Sequence, residues 1–330
     1  MYKDNQLTNL RIGELKSNID EILLPILKGY DRVAIFDFPN YANVGDSAIW
    51  LGQESFLAEH DIFILHVDDC YHGARGYPKL PSDVAVLING GGNFGDIYPR
   101  HQKLRELLIS QYPNHRIIQL PQSIHFQRES EELRCADSLK LHSDFHLIVR
   151  DEASFNIAKR IHSGHSYLCP DMAFYLKKTP RMSQQDFHIL GLLRTDCEQK
   201  YEHDEADQDS FFCDWVQENR NIFRVVNWAS RFDRRLLGGT SSRFRKLIYS
   251  WAANLRLRRG CLLLSSGQVV ITDRLHAHVL CTIMGIPHVV LDNTYGKIGN
   301  FRAAWSTGSD GFCIAAQSFS EARELALKFK

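Results

Sequence analysis

The stretch QVVITDRLHAHVLCTIMGIPHVVLDNTYGKIGNF (268–301) decides the fold. It opens on a continuous apolar run, QVVITD (268–273), and returns to a second one, HVVLD (288–292), with a helical stretch between them. Strand, helix and strand in that order form the repeating unit of a parallel sheet. Asp273 is placed to cap the helix, which puts Arg274, Leu275 and His276 in its first turn. A helix N-terminus attracts anions, and Arg274 adds a full positive charge there. His276 and His278 do not read as a metal pair, because positions two apart on a helix point about 200° away from each other.

The same alternation extends outward in both directions. RVAIFDF (32–38), IFILHV (62–67), VAVLIN (84–89), RIIQL (116–120) and FHLIVR (145–150) read as strands. Helical stretches such as 47–60, 100–112, 130–142 and 152–162 separate or follow them. Continuous apolar strands divided by helices imply a parallel sheet covered on both faces. The segment 169–186 carries two prolines and paired glutamines and reads as a linker. A second set follows, HILGLLR (188–194), NIFRVVNW (221–228), 268–273 and 288–292. The expected architecture is therefore α/β, with domains at 1–178 and 179–330 and a cleft between them. Ligands of such sheets sit beyond the strand C-termini, so residues there carry most weight.

Composition removes several function classes. Of 330 residues, 39 are Lys or Arg and 39 are Asp or Glu, which lacks the basic footprint of a general nucleic-acid binder. The eight cysteines are scattered without a CxxC pair and read as reduced, small apolar residues. The N-terminus lacks the apolar core of a signal peptide, and the run 22–27 is too short to span a bilayer, so a cytoplasmic protein is expected. The zero sum hides an uneven distribution. Residues 196–218 hold nine acids and one lysine, whereas 220–260 hold eleven Lys plus Arg and a single acid, Asp233.

Candidate chemistry gathers at the strand ends. FPNYANVGDSAIW (38–50) delivers Asn43, Gly45 and Asp46 to the cleft, with Asp46 able to cap the following helix and also to accept a sugar proton. NGGGNFGD (89–96) formally matches GxGxxG at Gly90, Gly92 and Gly95. It lacks the helix start and the later acid of a dinucleotide site, and reads as a flexible turn whose N–H groups suit an anion. Arg150 ends a strand and can fork onto a carboxylate or phosphate, or pair with Asp151 or Glu152. Lys297 sits in a glycine-flanked loop as a third cation.

Taken together, NVGDSAI, LINGGGNFGD, VRDEAS, CPDMAF, TDRLHAHV with IMGIP, and DNTYGKIGNF resemble the polysaccharide pyruvyl transferase family, over about 31–301. The resemblance implies two Rossmann-like domains in a glycosyltransferase-B-like arrangement, with the active site between them. It implies transfer of the enolpyruvyl-derived group of phosphoenolpyruvate to a sugar, forming a pyruvate ketal and releasing phosphate. By the same resemblance, Arg150, Arg274, Leu275 and Lys297 contact phosphoenolpyruvate. His276 and Asp46 serve acid–base chemistry, and Asn43, Gly45, Gly91, Gly92 and Asn93 line the acceptor side. No cofactor or metal is expected. Two other functions remain open to the same architecture: a nucleotide-sugar glycosyltransferase and a non-catalytic binder of an anionic metabolite.

SRFRKLIYSWAANLRLRR (242–259) has the composition of a basic amphipathic helix able to lie on an anionic membrane. That would suit an acceptor carried on a polyprenyl diphosphate. The competing expectation is a surface helix whose Leu and Trp pack inward, with its cations against the acidic stretch.

Overall fold

The computed structural model describes residues 2–71, 77–177, 179–182, 185–195, 200, 210–218, 220–236, 243–292, 296–305 and 312–329, excepting the side chains of 2–8 and 234–236. Two parallel sheets form its frame. The first half runs α1 (Tyr2–Leu27), β1 (Arg32–Phe36), α2 (Val44–Glu59), β2 (Phe63–Val67), β3 (Val84–Ile88), β4 (Gly91–Gly95) and α3 (Pro99–Gln111). It continues through β5 (Ile117–His125), α4 (Glu129–Lys140), β6 (Phe145–Val149), α5 (Glu152–Ile161) and β7 (His165–Leu168). These strands order as β2-β1-β3-β5-β6-β7, with β4 added to β5. The second half runs β8 (Phe187–Leu192), β9 (Ser210–Cys213), α6 (Arg220–Leu236), α7 (Arg243–Ser266) and β10 (Gly267–Thr272). It ends with α8 (Leu275–Met284), β11 (His288–Leu291), α9 (Lys297–Trp305), β12 (Cys313–Ala316) and α10 (Phe319–Ala326). Its strand order is β12-β11-β10-β8-β9. The α/β class and the parallel sheets read from the alternation are present, consistent with the two Rossmann-like domains that the resemblance implies.

Several local readings are corrected. NIFRVVNW lies in α6, where buried Val226, Ala229 and Asp233 recur at helical spacing. Packing against α7 outweighs the β propensity of its branched residues. The glycine-rich turn is a short strand, β4, paired with β5 through Gly91–Gln122 and Gly95–His125. Gly91 and Gly95 have φ of +132° and +122°, and a Cβ on Gly95 would lie 1.8 Å from the His125 carbonyl oxygen. Glycine here permits strand contact. The expected linker is also core. Cys169 and Met172–Tyr175, a 3-10 turn, are buried, and α2 approaches so closely that a Cβ on Gly52 would lie 1.9 Å from the Met172 oxygen.

One buried apolar cluster crosses between the sheets. It joins Val44, Trp50 and Met172 to Tyr249, Cys261, Leu264 and Leu275. Phe38 stacks on Tyr249 with ring centroids 3.9 Å apart and planes within 10°. Cations reinforce the seam. Arg256 is fully buried and bonds Glu218 (2.7 and 2.9 Å), the Pro39 carbonyl and Asn40, while Arg245 bonds Asp68 at 3.0 Å. Both readings of 242–259 are thereby altered. Arg245 and Arg256 turn inward, and Leu247 and Trp251 stand 68 % and 43 % exposed. Of the acidic stretch, only 200 and 210–218 fall among the described residues.

His278 is a buried core histidine hydrogen-bonded to His288. The His288 Nδ1–H donates to the Ile286 carbonyl at 2.8 Å, so its Nε2 accepts from His278 Nδ1 at 2.8 Å. Cys313 completes a buried group within 4.8 Å whose histidine nitrogens are already engaged with each other. Burial lowers His288 from 6.5 to about 4, and lowers His278 well below its ordinary value.

Three outcomes are expected. Gly52→Ala forces Cβ onto backbone and lowers unfolding free energy by about 1–3 kcal/mol in urea titration. Gly13→Ala in α1, with nothing within 4 Å of the new Cβ, is neutral or slightly stabilising. A folded histidine with a depressed pKa is neutral while the unfolded one takes up a proton, so its contribution is complete above 6.5 and is lost as pH falls toward 4. The slope of stability against pH in that window should flatten in His288→Gln; an unchanged slope contradicts the assignment.

Candidate active site

A cavity of about 320 Å³ opens between the two sheets. Asn43, Asp46, Gly92, Asn93, Arg150, Arg274, Leu275, His276 and Lys297 line it, so most of the sequence candidates converge. Gly45 and Gly91 lie behind them. A Cβ on Gly45 would sit 2.2 Å from His276 Nδ1, and one on Gly91 would sit 3.2 Å from an Asp46 carboxylate oxygen. Bare backbone at Gly45 is what lets the start of α2 touch the start of α8 across the cleft.

The cationic centre is built from three separate segments. Arg150, 2 % exposed, follows β6; its Nε donates to Ser123 Oγ at 2.9 Å and its Nη1 to Asp171 Oδ2 at 2.5 Å. His276 Nε2 stands 3.3 Å from that carboxylate and 3.3 Å from Arg150 Nη1. It can therefore donate to Asp171 or accept from Arg150, the two states a proton carrier needs. Burial alone would raise the Asp171 carboxyl, but His276 and Arg150 hold it well below the usual range. Asp171 was hidden in the supposed linker; its other oxygen accepts the Ala173 N–H of the 3-10 turn at 2.8 Å.

Lys297 opens α9, whose N–H groups at Ile298 and Gly299 donate to Asp292 at 3.1 and 3.2 Å. Residues 293–295 of its loop lie outside the described set. A Cβ on Gly92 would fall 3.2 Å from Arg150 Nη2 and 3.6 Å from Lys297 Nζ, so the two cations approach the same glycine from opposite halves. Arg274 occupies the N-cap position of α8, and its guanidinium grips Asp214 through Nε (2.6 Å) and Nη2 (2.5 Å). Asp273 does not cap this helix. It accepts the Arg194 N–H at 2.9 Å, and burial raises its carboxyl to about 6. Asp46 likewise does not cap its helix but sits within the first turn of α2: Asn43 is the N-cap, and its Nδ2 donates to Asp46 Oδ2 at 2.7 Å.

The wall of the cavity supplied by the first half contains groups that sequence reasoning missed. Tyr41, Tyr71, Tyr98 and His101 line it, with Arg194, Trp215 and Val216 opposite. His101 Nδ1 donates to buried Asp37 at 2.7 Å, which leaves Nε2 as the nitrogen available to a ligand. Asp37 has φ +71°, unusual for a residue with a Cβ. Although burial would raise its carboxyl, His101 and Arg105 hold it low. Asn93 joins the same network by donating to Asp37 at 3.2 Å and accepting from Gln122 at 2.8 Å. The available signal for this pair was a histidine just after the glycine-rich strand, facing the end of β1.

The polysaccharide pyruvyl transferase family model matches residues 43–295, which contain this constellation except Asp37, Tyr41 and Lys297 just beyond its ends. The chain belongs to that family. Pyruvyl transferase 1 of Schizosaccharomyces pombe is 32 % identical over 91 % of this chain and 77 % of its own. The provisionally named pyruvyl transferase EpsO of Bacillus subtilis is 32 % identical over 87 % of this chain and 89 % of its own. The crystal structure of an uncharacterised Klebsiella pneumoniae protein shares the fold, with a TM-score of 0.61 at 16 % identity, covering 92 % of this chain and 99 % of that one.

Gly45→Ala is expected to displace the His276 ring while leaving the helices formed. Turnover should fall about a hundredfold, the cost of a misplacement near 1 Å, with the circular dichroism spectrum retained. Wild-type turnover would show that the ring position is immaterial.

Proposed function

We propose that this pyruvyl transferase uses phosphoenolpyruvate as donor and a sugar of a polysaccharide repeat as acceptor, forming a pyruvate ketal and releasing phosphate. The observation that carries the donor reading is the approach of Arg150 and Lys297 to Gly92 from opposite halves, with Arg274 beside them. A small molecule bearing both a carboxylate and a phosphate needs several converging cations. Asp171 and Asp214 stand behind Arg150 and Arg274 and fix their geometry. Leu275 contributes apolar wall.

In the reaction, one sugar hydroxyl adds to C2 of the enol while C3 gains a proton and becomes methyl. Phosphate departs with the C2–O bond electrons, leaving oxocarbenium character at C2, and the second hydroxyl closes the ketal. Of the two hydroxyl protons, one ends on C3 and the other on phosphate. His276, poised between Asp171 and Arg150, is assigned the proton at the donor. On the acceptor side, Asp46 and the Asp37-held His101 are the groups placed to receive hydroxyl protons. Asn43 and Asn93 position these groups, and Gly45, Gly91 and Gly92 give the loops room. The division of labour is an acceptor-binding domain over 1–178, which also supplies Arg150, and a donor domain over 179–330, in a glycosyltransferase-B-like arrangement. The acceptor is proposed to be presented on a polyprenyl diphosphate at the inner face of the cell membrane, with the protein peripheral to it.

Incubation with phosphoenolpyruvate and a panel of glycans, free and lipid-linked, should yield a product heavier by one pyruvate ketal. His276→Ala should abolish that product while phosphoenolpyruvate still raises the thermal midpoint; near-normal turnover would remove His276 from the chemistry. Arg150→Ala and Lys297→Ala should lose the phosphoenolpyruvate stabilisation. Stabilisation by sugar nucleotides alone would overturn the donor assignment.

A further inference from the structure

We propose that the outer face of the α6–α7 hairpin is a docking surface for a bilayer rich in anionic lipid. On α6, Phe223, Trp228 and Phe232 stand 39 %, 61 % and 41 % exposed, interleaved with exposed Arg224 and Arg231. Trp228 stacks on Phe232 at 5.3 Å, and Phe232 meets Phe244 edge-on at 6.3 Å, which carries the patch onto α7. Along α7, Arg243, Leu247, Trp251 and Arg258 continue it as an exposed stripe at helical spacing. Apolar surface of this kind is seldom left facing water without a function.

Charge selects the occupant. Between residues 220 and 266 the sequence holds one carboxylate, Asp233, and that is buried 3.0 Å from Arg245. The outer face is therefore aromatic, aliphatic and cationic, and the one acid on the two helices, Asp233, is turned inward and does not oppose an anionic surface. A two-fold dimer through the same face would press these cations against their own copies. An anionic membrane satisfies both parts at once: tryptophan and phenylalanine sit at headgroup depth, and each arginine is drawn by the negative surface potential. No described helix is long and apolar enough to cross a membrane, so the hairpin would lie in the interface plane.

The inner side of α7 connects this face to the cleft. Arg256 bonds the Pro39 carbonyl and Asn40, and Arg259 bonds the carbonyls of Ala42 and Trp215, the last a cavity residue. Docking would hold the cleft rim near the lipid headgroups. That consequence for a lipid-carried acceptor rests on the proposed function; the docking itself does not.

Flotation of the full chain with vesicles tests the proposal. The protein should float with vesicles of equal parts phosphatidylcholine and phosphatidylglycerol at low salt, be released by high salt, and stay behind with phosphatidylcholine alone. The double variant Arg224→Glu/Arg231→Glu should lower the bound fraction at least about tenfold. Trp228→Ser should lower it as well. Both should keep the parental thermal midpoint and turnover on a soluble acceptor. Absence of flotation at low salt, or variants that float like the parent, would overturn the proposal. So would self-association abolished by the same variants, or preference for single-stranded oligonucleotide over vesicles. Loss of ketal formation with flotation intact would refute the reaction and leave docking standing.

Discussion

The ion pair between Arg150 and Asp171, 2.5 Å long and almost wholly out of water, is the contact around which the site is arranged. A buried charge without its partner is strongly destabilising, about 3–5 kcal/mol, so each side holds the other in a fixed place. Arg150 comes from the end of β6, Asp171 from the 3-10 turn under α2, and His276 from the first turn of α8. The pair thus fixes a cation and a histidine from opposite halves within 3.3 Å of each other. Ser123, which accepts from Arg150 and donates to Asp151 at 2.6 Å, extends the lattice into the first sheet.

Around that pair the chain trades side chains for backbone proximity. Gly45 against His276, Gly52 against the Met172 carbonyl and Gly260 against Val44 are three places where a Cβ would fall within 2.5 Å of a neighbour. Gly45 and Gly260 lie on the seam between the two halves, and Gly52 seats α2 on the 3-10 turn of the first. They let α2, α7 and α8 pack close enough that one apolar core runs through both sheets, and the cleft becomes a shaped cavity in a continuous body. On the first-half wall of the cavity, Asn93, Gln122, Arg105 and Asp37 satisfy one another around His101.

The zero net charge of the sequence proves to be a poor guide to any surface. Arg245 and Arg256 spend their charge inside the seam, Arg259 turns to the carbonyls of Ala42 and Trp215, and Arg224, Arg231, Arg243 and Arg258 stand exposed on α6 and α7 among aromatic rings. The notion of one basic amphipathic helix at 242–259 missed this, because helical spacing alone does not say which arginines find buried carboxylates. Asp68 and Asp69, which receive Arg245 and Tyr249, are some 180 residues away in the chain.

Local sequence was sufficient for what depends on local period. The apolar runs at 32–36, 84–88, 145–149 and 268–272 became central parallel strands because continuous hydrophobicity of strand length can only be covered on both faces. The residues at their C-terminal ends, Arg150, Arg274, His276 and Asp46, fell at the cleft for the same topological reason. Where the sequence misled, partners were remote. NIFRVVNW is helical because α7 covers it, 169–176 is core because α2 lies on it, and Asp171 and His101 belong to the site only through contacts with residues on other elements. Period and strand-end position are written in neighbouring residues; burial, ion pairing and the choice of which histidine faces a ligand are properties of the assembled chain.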